Sequence, residues 1–267
     1  MAVKNISEIK NWLLDMDGTI YLGEELIPGA LDFLNGIKRR GGRAIFLTNN
    51  SSRAPRDYVE KLRRLGIEAD QDDIFTSGDA AAKLLEERFG HGSSGYVLGT
   101  PSLEKLMADR GFGLCAEGEK ADFVLLGFDK TLTYDKIRVA CDYINAGVPF
   151  FATHPDFLCP TETGFIPDTG SMIKMFEAAT GVSPEVAGKP ERAMAQAAFL
   201  RYGIDPAVTA MVGDRLMTDI AFGNRADITA VLVLSGETGL EQYNAQSEVH
   251  ADFIFSSVGE MEKELCK

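Results

Sequence analysis

Several kinds of segment are missing from this chain. No apolar run approaches the ~18 residues that a bilayer crossing needs. The stretch from Met1 to Lys10 lacks the apolar centre of a secretory leader. The four cysteines, Cys115, Cys141, Cys159 and Cys266, form no C-x-x-C pair and have no histidine at zinc spacing. Scattered thiols without a leader fit a reducing cytoplasm, and a cytoplasmic location is expected. There is no internal repeat, low-complexity tract or long flexible linker. Basic residues are in deficit: 27 Lys and Arg stand against 40 Asp and Glu, a formal charge of −13. Such a chain repels nucleic acid and anionic membranes, so neither is expected as a partner. An anionic substrate would need a metal or a few placed cations to overcome that field.

What is present is an ordinary globular composition, 45% apolar and 25% charged, over 267 residues. That length builds one large or two smaller domains. Strand-like runs at 11–15, 43–48, 95–98, 121–128, 148–153, 208–213, 228–234 and 252–256 alternate with helix-like stretches. Helices are expected at 29–40, 55–65, 79–89, 101–110, 134–146, 171–180, 191–202 and 258–266. The alternation predicts an α/β protein with a mainly parallel sheet. His154 to Gly170 breaks the rhythm, with three prolines and little apolar periodicity. A loop of that length inside a compact domain is usually functional or disordered. Its Phe157, Leu158, Phe165 and Ile166 point to a structured loop that faces a ligand.

The apolar run Trp12-Leu13-Leu14 ends in Asp15-Met16-Asp17-Gly18-Thr19. Side chains two apart on a strand share a face, so a strand persisting that far would aim Asp15 and Asp17 the same way. Two like charges so close call for a cation or for one proton. By itself Asp-x-Asp-Gly reads equally well as a surface turn. A calcium loop of the EF-hand kind is excluded, because its glycine belongs at position six and a helix should lead in.

Three further polar segments follow strands: Thr48-Asn49-Asn50-Ser51-Ser52, Gly188-Lys189-Pro190, and Gly213-Asp214-Arg215-Leu216-Met217-Thr218-Asp219. Ligands of open parallel sheets bind outside the carboxyl ends of the strands, which would gather the four segments. Asp15, Asp17 and Asp214 offer hard oxygen ligands suited to Mg²⁺. Thr48, Asn49 and the amides after them can donate to phosphate oxygens, and Lys189 adds a point charge. Such a set offsets charge on a transferring phosphoryl group. Taken singly, the Thr48 segment reads as a turn with an N-cap, Lys189 as a solvated lysine, Asp214 as a helix cap and Asp219 as a surface charge. Their order, each behind a strand, favours a joint site. Gly111-Phe112-Gly113-Leu114-Cys115-Ala116 fits G-x-G-x-x-A but follows a helix rather than a strand, and Gly181 to Lys189 has the wrong spacing for a P-loop.

These four segments resemble motifs one to four of the haloacid dehalogenase superfamily. The strings from Asp15 to Gly23, from Leu47 to Arg53 and from Val212 to Ile220 resemble its NagD-like, class IIA branch, which includes p-nitrophenyl and pyridoxal phosphatases. The resemblance implies a Rossmann-like core over 1–76 and 183–267 with an α/β cap of the C2 type inserted at 77–182. It implies Asp15 as nucleophile and Mg²⁺ ligand, and Asp17 as acid, then base, with its carbonyl on the metal. It further implies Thr48 and the amides of Asn49 and Asn50 as phosphoryl-holding groups, with Lys189 bridging phosphate and Asp15. Asp214 would bind Mg²⁺ and Asp219 would orient its waters. Relatives often carry Asn at the position of His154, and pyridoxal phosphatases His at that of Cys159. Both are candidate substrate contacts, His154 through the leaving group, although a capping or exposed histidine is an equal reading. The implied activity is hydrolysis of a small phosphorylated metabolite: a sugar phosphate, nucleotide, phosphoglycolate or pyridoxal phosphate, with p-nitrophenyl phosphate as surrogate. A phosphotransferase or mutase, or a non-catalytic phosphometabolite-binding regulator, are the alternatives. A homodimer through the cap is also implied.

Overall fold

A computed structural model describes residues 5–161 and 163–266. In chain order its strands are β1 (Asn11–Leu14), β2 (Tyr21–Leu22), β3 (Glu25–Leu26), β4 (Arg43–Thr48), β5 (Ile74–Thr76), β6 (Ser94–Leu98), β7 (Gly113–Leu114) and β8 (Phe123–Leu126). They continue as β9 (Phe150–Ala152), β10 (Leu158–Thr161), β11 (Gly164–Pro167), β12 (Glu185–Val186), β13 (Thr209–Gly213), β14 (Thr229–Val233) and β15 (Phe253–Phe255). Among the described residues no helix is long and apolar enough to cross a membrane.

The chain forms two compact units. The first holds the residues up to Thr48, Tyr58–Phe75 and those from Lys189 onward; the second holds Asn49–Asp57 and Thr76–Gly188. This division departs from the expected limits at 76/77 and 182/183. The second unit extends through Gly188 because β12 pairs with β9, Glu185 opposite Phe151 and Val186 opposite Ala152. Residues 49–57 cluster with it because Ser51 Oγ accepts the Phe128 amide at 2.9 Å, and Thr100 Oγ1 donates to the Ser52 carbonyl at 2.9 Å.

The first unit is built on a six-stranded sheet in the order β15-β14-β13-β1-β4-β5. Strand β1 lies between β13 and β4 and is parallel to both. A central parallel strand is covered on both faces, which explains why Trp12, Leu13 and Leu14 are all buried rather than alternating. The helix Ala30–Arg39 lays Phe33 and Ile37 onto this sheet's core, and the Phe33 ring meets Trp12 edge-on at 5.5 Å. The consequence for function is that β1, β4 and β13 end beside one another, with Asp15, Thr48 and Asp214 at or just past their carboxyl ends.

The second unit has its own five-stranded sheet, β12-β9-β8-β6-β7, parallel throughout. Its core gathers Leu98, Val124, Leu126, Ile144, Phe150 and Phe176. The helix Ser77–Phe89 starts earlier than the apolar pattern indicated, because Thr76 and Asp79 form a reciprocal capping box ahead of the first apolar turn. Likewise Asp168 caps the helix Thr169–Thr180, accepting from the Thr169 amide. Phe176 is fully buried on that helix and packs against Phe150 at 5.7 Å. Phe176→Ala should destabilise the protein by about 3–5 kcal/mol through the cavity it leaves. Urea unfolding would show this as a lower midpoint; an unchanged midpoint would mean the site collapses around the smaller side chain.

Within the segment 154–170, which reads from sequence as a structured loop, two short strands form a β-hairpin. Strands β10 and β11 pair antiparallel, with Cys159 opposite Ile166 and Pro160 opposite Phe165. Two prolines in so short a pair hide the strand signal, and they are tolerated because the pair forms a sheet of its own, with no further strand neighbour among the described residues.

Candidate active site

In the first unit the chain leaves β1 with one more ladder bond, the Asp15 amide donating to the Val212 carbonyl at 2.9 Å. It then turns sharply. The Met16 carbonyl accepts from the amides of Ile20 and Tyr21 at 2.8 and 3.1 Å. Gly18 sits at φ +81°, a left-handed conformation that disfavours other residues. Strand geometry therefore does not carry through to Asp17. Asp15 is buried and Asp17 is exposed, so the two carboxylates occupy different environments.

The buried cluster consists of Asp15, Asp214 and Asp219. Each presents an oxygen, and these oxygens lie within 4.8 Å of one another. Asp214 follows β13 directly. Asp219 is brought back by a π-helical turn, Leu216–Ile220, in which the Ile220 amide bonds the Arg215 carbonyl at 3.2 Å. The extra residue of that turn lets Asp219 Oδ2 accept the Arg215 amide at 3.1 Å. Lys189 completes the group. Its ammonium is fully buried and donates to Asp15 Oδ1 at 2.6 Å, Asp219 Oδ1 at 2.8 Å and the Leu47 carbonyl at 3.4 Å. That last contact sets the cluster beside the end of β4, where Thr48 is buried.

Three carboxylates and one ammonium leave an excess of negative charge in a dry site. Burial raises Asp15 to about 6, with Asp219 adding to the effect and Lys189 opposing it. Burial, then the charges of Asp15 and Asp219, push Asp214 up to about 8. Burial would lower Lys189, but Asp15 and Asp219 outweigh it and hold the ammonium above its ordinary value. Asp17, although its side chain reaches solvent, is partly desolvated by the surrounding turn, which raises it against the pull of Lys61 and Arg215. Asp214 Oδ2 accepts the Glu237 amide at 2.6 Å. Asp214 Oδ1, also buried, has no hydrogen-bond partner among the described residues. An orphaned buried oxygen beside two further carboxylates fits a hard divalent cation.

Other contributors to the cluster carry weak sequence signals. A Cβ added at Gly18 or Gly236 would strike the Asp214 carboxylate, and one at Gly213 would strike Asp219. Ser235 Oγ donates to the Gly18 carbonyl at 2.7 Å and ties down the turn after β1. Ser235-Gly236 follows β14 as the other polar segments follow their strands, and that position was the available clue. Lys61 lies 3.8 Å above the Tyr21 ring; its helix reads from sequence only as an apolar face with polar flanks.

Asn49, Asn50, His154 and Cys159 belong to the second unit. Asn49 is buried, donates from Nδ2 to Asp156 at 3.0 Å, and its carbonyl accepts from Ser77. Asn50 Oδ1 accepts from the Ser52 amide and hydroxyl at 2.9 and 2.8 Å, so its side chain does build a local turn. His154 departs from the exposed reading. It is fully buried, with Nε2 2.9 Å from Asp168 Oδ1 and Nδ1 2.9 Å from Thr153 Oγ1. With both ring nitrogens engaged it is a buried tether at the base of the hairpin and not an exposed histidine. Cys159 is half-buried and lines an open cavity of about 410 Å³ in this unit.

Known proteins share this architecture and sequence. Residues 12–113 match the model of the haloacid dehalogenase-like hydrolases, and residues 186–261 match a second model of the same kind. The chain is 37% identical to the 5'-nucleotidase YutF of Bacillus subtilis over 90% of this chain and 92% of that protein. It superposes on the 4-nitrophenylphosphatase of Thermotoga maritima with a TM-score of 0.91 at 42% identity, covering 97% and 98% of the two chains. The glycerol phosphate phosphatase of Mycobacterium tuberculosis, solved in complex with magnesium, matches with a TM-score of 0.90 at 31% identity over 98% of this chain and 80% of that one.

Proposed function

Because this chain belongs to the NagD-like haloacid dehalogenase hydrolases, we propose that it is a Mg²⁺-dependent phosphatase of small phosphate monoesters acting through an aspartyl-phosphate. The observation that carries the reading is the buried cluster of Asp15, Asp214 and Asp219 clamped by Lys189. Asp15, Asp214 and the Asp17 carbonyl would hold the metal, with Asp219 orienting its waters, and Mg²⁺ would offset charge on the phosphoryl oxygens.

In the first step an Asp15 carboxylate oxygen attacks phosphorus and the bond from phosphorus to the leaving oxygen breaks. Protonated Asp17 donates its proton to that oxygen, a role that its raised pKa favours. Asp17 then takes a proton from water, whose oxygen attacks phosphorus. The Asp15–phosphorus bond breaks and inorganic phosphate leaves. Lys189 holds Asp15 in position and neutralises part of the charge through both steps. Thr48 and the amides of Asn49 and Asn50 bind the phosphoryl oxygens.

Hydrolysis of p-nitrophenyl phosphate with Mg²⁺, and its loss with EDTA, tests this reading; a folded protein inactive under both conditions would refute it. A second expectation concerns pH. Asp214 is held near 8 in the fold, well above its ordinary value of 3.8. Between those limits the unfolded chain has released a proton that the folded one keeps. The metal-free fold is therefore favoured by this group below the lower value and loses that stability as pH rises toward the upper one. Asp15 acts in the same sense up to about 6. A bound cation stabilises the ionised forms, so the rise in Tm with Mg²⁺ should be about 5 °C larger near pH ~8 than near pH ~5. Equal shifts at the two pH values would remove Asp214 from the metal site. The cap-mediated homodimer is part of the same reading, and light scattering measures it.

A further inference from the structure

The buried carboxylates of the first unit do not offer all of their oxygens. Asp15 Oδ1 accepts from Lys189 at 2.6 Å. Asp219 Oδ1 accepts from Lys189 at 2.8 Å, and its Oδ2 from the Arg215 amide at 3.1 Å. Asp214 Oδ2 accepts from the Glu237 amide at 2.6 Å, which leaves Oδ1 as the orphaned atom. Each carboxylate of the cluster therefore has at least one oxygen committed. A cation that grips a carboxylate through both oxygens would first have to break one of these bonds.

Asp214 Oδ2 is held by more than that hydrogen bond. A Cβ at Gly236 would strike Oδ2 and the carboxylate carbon, and one at Gly18 would strike the same atoms. Two glycine backbones thus lie against this oxygen with no room for a side chain. Ser235 Oγ donates to the Gly18 carbonyl at 2.7 Å, so the two backbones are also joined to each other. Gly18 adjoins Asp17, whose carbonyl is the third group assigned to the metal. The loop that carries Ser235, Gly236 and Glu237 is anchored at both ends: the Leu234 amide donates to the Phe255 carbonyl at 3.0 Å, and Thr238 is buried. Glu237 itself is exposed, so what the loop contributes to the cluster at that position is its N–H.

Hard divalent cations differ in what they ask of such a site. Mg²⁺ demands near-ideal octahedral geometry, keeps several waters and needs only one or two carboxylates. Ca²⁺ takes roughly six to eight oxygens in flexible geometry and often grips a carboxylate through both oxygens. A carboxylate restricted to one oxygen serves the first ion and denies the second a ligand. We propose that Ser235, Gly236 and Glu237 are cation-selecting residues, which fix Asp214 as a single-oxygen ligand and so favour Mg²⁺ over Ca²⁺. They act through Asp214 and the turn at Gly18, and are positioning residues. This rests on the reading of the cluster as the Mg²⁺ site of a phosphatase and adds the residues that choose the ion.

The test is calorimetric titration of the whole protein with Mg²⁺ and with Ca²⁺, in the absence of substrate. The native protein should bind Mg²⁺ more tightly, and Asp214→Asn should abolish that preference. Glu237→Pro removes the N–H that holds Oδ2, and Gly236→Ala drives a methyl group against it. Each should lower the ratio of the Ca²⁺ to the Mg²⁺ dissociation constant by ~10-fold, because a hydrogen bond to a charged group is lost and the geometrically demanding ion suffers more. Glu237→Gln keeps the N–H and should leave the ratio unchanged; a fall equal to that in Glu237→Pro would assign selection to the side-chain charge and overturn the proposal. Circular dichroism checks the fold of each variant. If Glu237→Pro and Gly236→Ala do not fold, Ser235→Ala, which only frees the Gly18 carbonyl, reads the same ratio. A native protein that binds Ca²⁺ as tightly as Mg²⁺, or a ratio unmoved in the folded variants, overturns the proposal. Selective binding by a protein that hydrolyses no ester with Mg²⁺ refutes the phosphatase reading alone, whereas Mg²⁺-dependent hydrolysis without a cation preference refutes this proposal alone.

Discussion

Asp15→Asn is expected to lower turnover of p-nitrophenyl phosphate by ~1,000-fold or more, because the amide is a poor nucleophile at the position that must bond phosphorus. The fold should survive. Asparagine has the shape of aspartate, and Lys189 keeps Asp219 and the Leu47 carbonyl as partners. The substitution also removes one negative charge from a crowded, buried group, so the metal-free Tm at neutral pH should hold or rise. Steady-state rates with circular dichroism on the same sample read both effects. Substantial residual turnover in a folded Asp15→Asn protein would eliminate the aspartyl-phosphate.

Lys189→Met should be damaging in a different way. The ammonium is the fully buried partner of two carboxylates. Removing it strands them without compensation, and stranding a buried charge costs about 3–5 kcal/mol. Turnover should fall by ~100-fold or more as well, since a placed cation is lost from the phosphoryl site. The two effects separate in the double variant Lys189→Met with Asp219→Asn. Deleting one of the stranded charges should recover part of the stability, read as the urea midpoint, and none of the activity. A single variant as stable as the native protein would mean that the carboxylates simply take up protons and that Lys189 does not hold the cluster.

The alternation of strand and helix was legible because central parallel strands are unbroken apolar runs: Trp12-Leu13-Leu14 and Ala210-Met211-Val212 each stand out against their flanks. Elements of two residues, such as Glu25–Leu26 or Glu185–Val186, are too short to carry any periodicity, which is why the pairing of Glu185–Val186 with the second unit's sheet does not show in the sequence. The buried cluster was legible for a related reason. Asp15, Asp214 and Lys189 lie next to sheet strands or in a polar break, and chain order brought them together. His154 was not legible, because what decides its role is a carboxylate fourteen residues away, Asp168, across a hairpin whose prolines mask it. Gly236 was equally hidden: its importance lies in what a side chain there would strike, and nothing adjacent in sequence announces that.

The π-helical turn at Leu216–Ile220 makes the cluster depend on the number of residues between Asp214 and the helix Ala221–Arg225 rather than on their identities alone. Deleting a single residue from this stretch would leave a sequence able to form an uninterrupted α-helix. It would also rotate whatever precedes the helix by about 100° around the axis. Asp219 would then face another direction although every side chain of the cluster was still encoded. Substitutions at the exposed Met217 should be tolerated where a one-residue deletion is not. Among descendants of this gene, length in this turn would be guarded more closely than composition.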